Sequence, residues 1–198
     1  MAEESFQAVW DAIHERHTVY RFAGKPLPEG TIERLVESAV WAPNHRLTQP
    51  WRFVVVEGAA KEELAALRGR LARERAEREG RGLDRVEAQV AEFREPAAYL
   101  YIVRQVAGDE ERQREDYAAC AIAAYIVQLV AHGLGLGVRW GTGLMARHPA
   151  VHQALGLDGD QEIVCFLGLG YEREGDDHRR RRRPASELTR RLDQHLEN

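Results

Sequence analysis

Cysteine is scarce: Cys120 and Cys165 are the only two in 198 residues, both in apolar surroundings and without C-x-x-C spacing. That usage excludes a disulfide scaffold or thiolate metal site and reads as two buried thiols in a reducing cytoplasm. Charge of one sign is missing too. Twenty-eight Lys+Arg stand against 32 Asp+Glu, a formal net charge of −4, so neither nucleic acid nor an anionic membrane is expected as a partner. Residues 1–11 have no basic stretch and no apolar signal core, and export is not expected. No G-x-G-x-x-G turn follows the first β-rich run, and no P-loop, G-x-S-x-G elbow or H-E-x-x-H is present, which removes the common dinucleotide, phosphate, serine-hydrolase and metalloprotease signatures. His148 and His152 are four apart without an accompanying carboxylate, and read as a surface or half-buried pair, not a metal site.

Residues 117–138 carry no formal charge over a length that could cross a bilayer. The segment is built on alanine, however, and is interrupted by Gln128, His132 and a run of glycines. It reads as a central buried helix over about 115–134.

Phe6, Val9, Trp10 and Ile13 fall at helical spacing and open the chain with an amphipathic helix that stops before residues 16–18. Pro26 and Pro28 hold an extended connection. Thr31 is the expected N-cap of a second helix with its buried stripe at Ile32, Leu35, Val36, Ala39 and Val40, ended by Pro43. Three β-rich apolar runs follow, at 51–57 (WRFVVVE), 98–104 (AYLYIVR) and 162–169 (EIVCFLGL). Between the first two, residues 61–95 are about half charged and read as two exposed helices broken at Gly80-Arg81-Gly82. They form either a solvated hairpin or a mobile cover over a ligand site. A short helix is expected at 150–155 and a terminal one after Ser186. Few strands among more numerous helices predict an α+β domain spanning 1–198, with 179–198 as a C-terminal tail.

Three segments carry candidate chemistry. ERHTVYRF (15–22) gathers Arg16, His17, Thr18 and Arg21 at a helix end, where cations, a hydroxyl and free N–H groups suit a phosphomonoester. A solvated helix end would look the same. APNHRLTQPWRF (42–53) offers His45 and Gln49 beside Trp41 and Trp51, a mixture that suits a planar heteroaromatic ligand, as it would a plain helix-to-strand loop. GLGLGVRWGTG (133–143) follows the long helix, and its glycines would let backbone N–H groups approach a flat ring; a simple C-cap and turn is the alternative. The basic run at 179–183 lacks interleaved aromatics and reads mostly as a solvated loop.

Taken in order, these segments resemble the FMN-dependent nitroreductase family. Arg16-His17-Thr18-Val19-Tyr20-Arg21-Phe22 is similar to its opening R-[RH]-[ST] segment. Residues 42–51 resemble its A-P-S-x-x-N-x-Q-P-W signature, and residues 135–143 its G-L-G-x-x-W-x-T-G segment. Residues 167–171 followed by Arg182-Arg183-Pro184 resemble its terminal strand and basic tail. The resemblance covers about 6–192 and implies a nitroreductase-like fold, a mixed or antiparallel sheet surrounded by helices in an intertwined homodimer.

It further implies one FMN per site. Arg16, His17 and Thr18 would hold the phosphate and ribityl chain, with Arg182 or Arg183 adding a cation. Trp140, Gly141 and Thr142 would lie along the isoalloxazine, with backbone donors near its N5 edge. Asn44 and His45, with Trp41 beside them, would serve the partner's flavin. Leu47 stands where many members have a flavin-contacting asparagine, and Tyr20 where some have a basic residue near N1 and O2. The implied reaction is ping-pong: NADH or NADPH reduces the flavin and leaves, and a small aromatic acceptor such as a nitroaromatic or quinone takes its place. The flavin would perform the chemistry, so no side chain is expected to act as acid, base or nucleophile. A more specialised flavin reaction, such as reductive dehalogenation, and flavin binding without turnover are the rival readings.

Overall fold

The computed structural model describes residues 2–175 and 181–191. Four strands form one antiparallel sheet in the order β1-β2-β4-β3: β1 (Trp51–Val56), β2 (Ala98–Gln105), β3 (Gly137–Gly141) and β4 (Gln161–Gly170). The three apolar runs become β1, β2 and β4. The fourth strand, β3, occupies the glycine-rich stretch expected to be loop. That expectation fails because Gly137–Gly141 pairs residue for residue with β4, from Gly137↔Gly170 to Gly141↔Phe166, and the glycines sit where a side chain would collide.

The central strand β2 is apolar on both faces because both are covered. Leu100 and Ile102 join Val164, Leu167 and the helices α2 (Thr31–Ala39) and α5 (Glu110–Gly133) in one core. Tyr99, Tyr101 and Val103 join Phe166, Met145 and the helix α3 (Gly58–Arg78) in the other. Small residues let α5 approach the sheet closely: Ala119, Ala123, Ala124 and Ala131 are all buried.

Helix α5 begins five residues before its expected start. The Asp109 side chain accepts from the Arg112 N–H at 3.0 Å, an N-cap that organises the charged first turn. For α2 the cap is different from the expected one: Gly30 holds the N-cap position at φ 76° with no side-chain bond. Thr31 is already inside the helix and buried. The charged hairpin is also tied to the core. Helix α3 buries Leu64, Leu67 and Leu71, and α4 (Asp84–Arg94) buries Val86, Val90 and Phe93, so a sparse apolar stripe suffices to tie both helices to the second core.

The short helices α6 (Leu144–Arg147) and α7 (Pro149–Ala154) follow β3. The His148 ring Nδ1 accepts from the Ala150 N–H at 3.2 Å, and the His152 Nε2 lies 3.0 Å from the Ala146 carbonyl; both serve local backbone. Near the C-terminus a 3-10 turn at Ala185–Glu187 stands where a helix was expected, with Leu192 outside the described residues. The first helix, α1 (Ala2–Glu15), buries nothing. Phe6, Val9, Trp10 and Ile13 are 43–60% exposed. Among the described residues, no helix is long and apolar enough to cross a membrane.

Candidate functional site

The segment 16–22 runs along the free edge of β3. Thr18 forms a parallel bridge with Val138, and the Val19 N–H donates to the Val138 carbonyl at 3.1 Å. Successive residues of a strand turn their backbone groups to opposite edges. Val138 faces away from β4, so the Trp140 N–H and C=O, two residues on, face the same outer edge beyond the end of the bridge. Side chains alternate too. Val138 and Trp140 pack on the α5 side, and Gly141 lies over Phe166, where a Cβ would stand 2.2 Å from the ring Cζ. Glycine is therefore the residue that keeps this strand flush against the core.

At the end of α1, Arg16 Nη1 donates to Gln128 Oε1 of α5 at 3.3 Å, and its guanidinium carbon lies 5.7 Å from the Tyr125 ring centroid. Its Nε is buried with no hydrogen-bond partner, an orphan donor that is costly to leave unmatched. The His17 ring is turned to Glu172, 3.0 Å from its carboxylate, and its other nitrogen is 3.1 Å from the Glu15 carbonyl. Tyr20 lies beneath Arg139, whose guanidinium carbon is 5.6 Å from the ring centroid.

The second motif forms a tight loop at 44–49 anchored on α5. His45 Nδ1 is 2.8 Å from Glu115 Oε2, and Thr48 Oγ1 donates to the buried Asp116 carboxylate at 2.6 Å. Asn44 Oδ1 accepts from the Gln49 N–H at 2.9 Å. Three non-glycine residues here, Arg46, Leu47 and Gln49, hold positive φ at 55°, 51° and 43°, a conformation that persists only where its surroundings over-determine it. Trp41, just before the loop, is 82% exposed.

Thus the structure brings Arg16, His17 and Thr18 to the edge that carries Trp140, Gly141 and Thr142, and places Asn44, His45 and Gln49 elsewhere in the same chain. Arg16 meets α5 at Gln128 and His45 meets it at Glu115, thirteen residues apart. At 1.5 Å rise per residue those anchors are about 20 Å from each other. Arg182 and Arg183 are exposed; Arg179 and Arg180 lie outside the described residues. Glu115, Asp116, Glu172 and Arg139 join the expected site residues through these contacts and carry no motif of their own. Asp116 gave one signal, a carboxylate at the edge of an uncharged helical run.

Cys120 and Cys165 are both buried. Burial pushes the Cys120 thiol up to about 12, with the nearby Asp116 carboxylate adding to the effect, and raises the Cys165 thiol as well. They carry no nucleophile at neutral pH.

Comparison with known proteins agrees with this layout. The model of the nitroreductase family matches residues 13–171. Several relatives carry the name "Putative NAD(P)H nitroreductase". YdjA of Escherichia coli is 33% identical over 169 residues, covering 81% of this chain and 86% of its own. YfhC of Bacillus subtilis is 28% identical over 176 residues, covering 86% and 88%. A nitroreductase-like family protein from Bacillus cereus superposes with a TM-score of 0.81 at 26% identity, covering 94% of this chain and 96% of its own. The FMN-dependent nitroreductase NfnB of Mycobacterium smegmatis, solved with NADPH, has the same fold at a TM-score of 0.76 and 21% identity, covering 94% and 98%. The fold, the order of the motifs and the convergence of two of them on the β3 edge lead to one assignment: this chain belongs to the nitroreductase family, a family of oxidoreductases.

Proposed function

We propose that the protein is a homodimeric, FMN-dependent NAD(P)H oxidoreductase whose two sites lie between subunits. The carrying observation is the Thr18–Val138 bridge, which sets a cation with an unmatched buried donor, Arg16 Nε, beside an edge strand with outward-facing backbone groups. That donor set fits an anionic phosphomonoester joined to a flat ring. Arg16 and Thr18 hold the phosphate and ribityl chain, with Arg182 or Arg183 as a second cation. His17 orients this segment through Glu172. The Trp140 N–H and the 140–142 backbone meet the ring edge, and Tyr20 closes the pyrimidine end.

FMN, when bound, supplies two-electron transfer from a reduced nicotinamide to an aromatic acceptor. The protein's part is to bind, orient and exclude water. Fixed N–H groups at the ring edge favour the more electron-rich reduced state without reorganising. The names of YdjA and YfhC and the NADPH complex of NfnB support a nicotinamide reductant.

The dimer rests on surface chemistry. The α1 stripe of Phe6, Val9, Trp10 and Ile13, the α5 residues Tyr117, Ile122 and Tyr125, and Val40, Trp41 and Leu47 are all exposed. So much apolar area on a single chain calls for a partner. The distance of about 20 Å between the Arg16 and His45 anchors along α5 fits loop 44–49, with Asn44, His45, Gln49 and Trp41, serving the partner's flavin. Heat-released chromophore identifies the cofactor: FMN in stoichiometric amount is expected, and FAD, or no flavin after reconstitution, overturns the reading. Anaerobic NAD(P)H should bleach the bound flavin rapidly; a flavin store would bleach slowly or not at all.

A further inference from the structure

A groove of about 920 Å³ lies between the α3–α4 hairpin and the β3–α6 junction, lined by Arg68, Arg75, Arg81, Arg85 and Arg139. Only three carboxylates, Glu79, Asp84 and Glu92, line it as well, an excess of positive charge within a chain of formal net charge −4. The arginines are not equally satisfied. Glu79 is shared by Arg75 at 3.0 Å and Arg81 at 3.1 Å, and Arg139 is only loosely paired, 3.9 Å from Glu92.

Arg68 is half-buried without a carboxylate partner among the described residues. Its Nε donates to the Gln89 carbonyl at 3.3 Å and its guanidinium carbon sits 5.3 Å from the Phe93 ring centroid. None of the ion pairs among the described residues includes Arg68 or Arg85. Burial disfavours the charged form of Arg68 and lowers its pKa. A guanidinium held against a ring face and by one backbone bond in the wall of a groove is a preorganised fork for a carboxylate or phosphate. Thr142 lines the same groove and belongs to the edge proposed to meet the isoalloxazine, so the groove begins where the ring edge ends.

We infer that this groove is an anion subsite, in which Arg68, Arg85 and Arg139 receive a phosphate or carboxylate group of a substrate whose reacting part lies at the flavin. The assignment of the substrate rests on the flavin reading above; the anion site itself rests on the groove alone. The anionic group has two sources, the ribose phosphate of the reductant or a carboxylate on the acceptor.

Calorimetric titration of the purified dimer, with its flavin content measured separately by absorbance, tests both levels. The probes are 2′,5′-ADP, 5′-AMP as the control lacking the second phosphate, and benzoate. Saturable binding of 2′,5′-ADP over 5′-AMP assigns the phosphate, and saturable benzoate binding assigns the carboxylate. Either should weaken about tenfold or more in Arg68→Gln and again in Arg85→Gln, the loss expected for a charge-assisted contact. Arg114→Gln, on exposed α5 surface, should leave it unchanged. Binding should also fall as salt rises. No saturable binding of any probe, or equal binding in wild type, Arg68→Gln and Arg85→Gln, overturns the subsite. Should Arg68→Gln lose stability, Arg85→Gln, whose side chain has no ion partner to lose, decides alone. Protein without flavin that still binds the probes would leave the groove standing and remove the flavin reading.

Discussion

Arg16 and Gln128 meet across the first helix and α5, Nη1 donating to Oε1 at 3.3 Å, while the Arg16 Nε beside them is buried without a partner. A glutamine in the middle of an alanine-built helix thus aims a cation from a segment 112 residues away in sequence. On the proposed reading, that unmatched donor is where the FMN phosphate is received.

Arg16→Ala should therefore weaken FMN binding by about 1.5–3 kcal/mol, the worth of a charge-assisted contact. Arg114→Ala, whose side chain is 79% exposed beside Glu110, should change it little. Titration of apo-protein with FMN checks both, and equal losses would place the phosphate elsewhere.

Gly141→Ala should destabilise the fold by about 1–3 kcal/mol, since the new Cβ would stand 2.2 Å from Phe166 Cζ and the strand or the ring must yield. Thermal unfolding measures the loss. Adding Phe166→Leu should recover part of it, whereas an unchanged Tm in the single variant would mean that the ring moves freely.

Thr48→Val removes the hydroxyl that donates to the buried Asp116 carboxylate at 2.6 Å and leaves only Arg112, at 3.5 Å, as its partner. A cost of about 1–3 kcal/mol in denaturant unfolding is expected, together with loosening of the His45 loop, read as faster amide exchange over residues 44–49.

Stability should fall in alkali. Burial raises the Cys120 thiol from 9.0 to about 12. Between those values the unfolded chain has lost its proton while the folded chain keeps it. Fewer protons bound by the unfolded state means that stability declines as pH rises from about 9 toward 12. Denaturant midpoints at pH 8 and pH 10 test the sign, and Cys120→Ala should show a smaller decline. Thiol reagents at pH 8 should modify neither cysteine until the chain unfolds.

Much of this was legible in the sequence, and the misses have physical causes. The strands β1, β2 and β4 announce themselves because their β-branched and aromatic residues form short apolar runs. The strand β3 does not, since an edge strand of GVRWG is chosen for close approach to Phe166 and for backbone exposure, both of which look like loop. The α3–α4 hairpin hid its core role behind charge: a narrow stripe of three leucines and three alanines on α3 and of Val86, Val90 and Phe93 on α4 is enough to hold it. The three motifs were visible singly, but the bridge of Thr18 to Val138 and the anchoring of His45 and Thr48 on Glu115 and Asp116 are tertiary facts with no local signature. The spacing of Phe6, Val9, Trp10 and Ile13 makes the first helix amphipathic, but that these side chains stay exposed on the single chain has no local signature.

The sharing of each site between subunits is open to one decisive measurement, FMN bound per mixed dimer of one Arg16→Ala chain and one His45→Ala chain. With Arg16 of one subunit and His45 of the other at each flavin, one interface collects both lesions and the second is intact, so the mixed dimer should bind one FMN tightly. If both residues serve the flavin of their own chain, every site carries one lesion, and the absence of any tight site would contradict the shared arrangement.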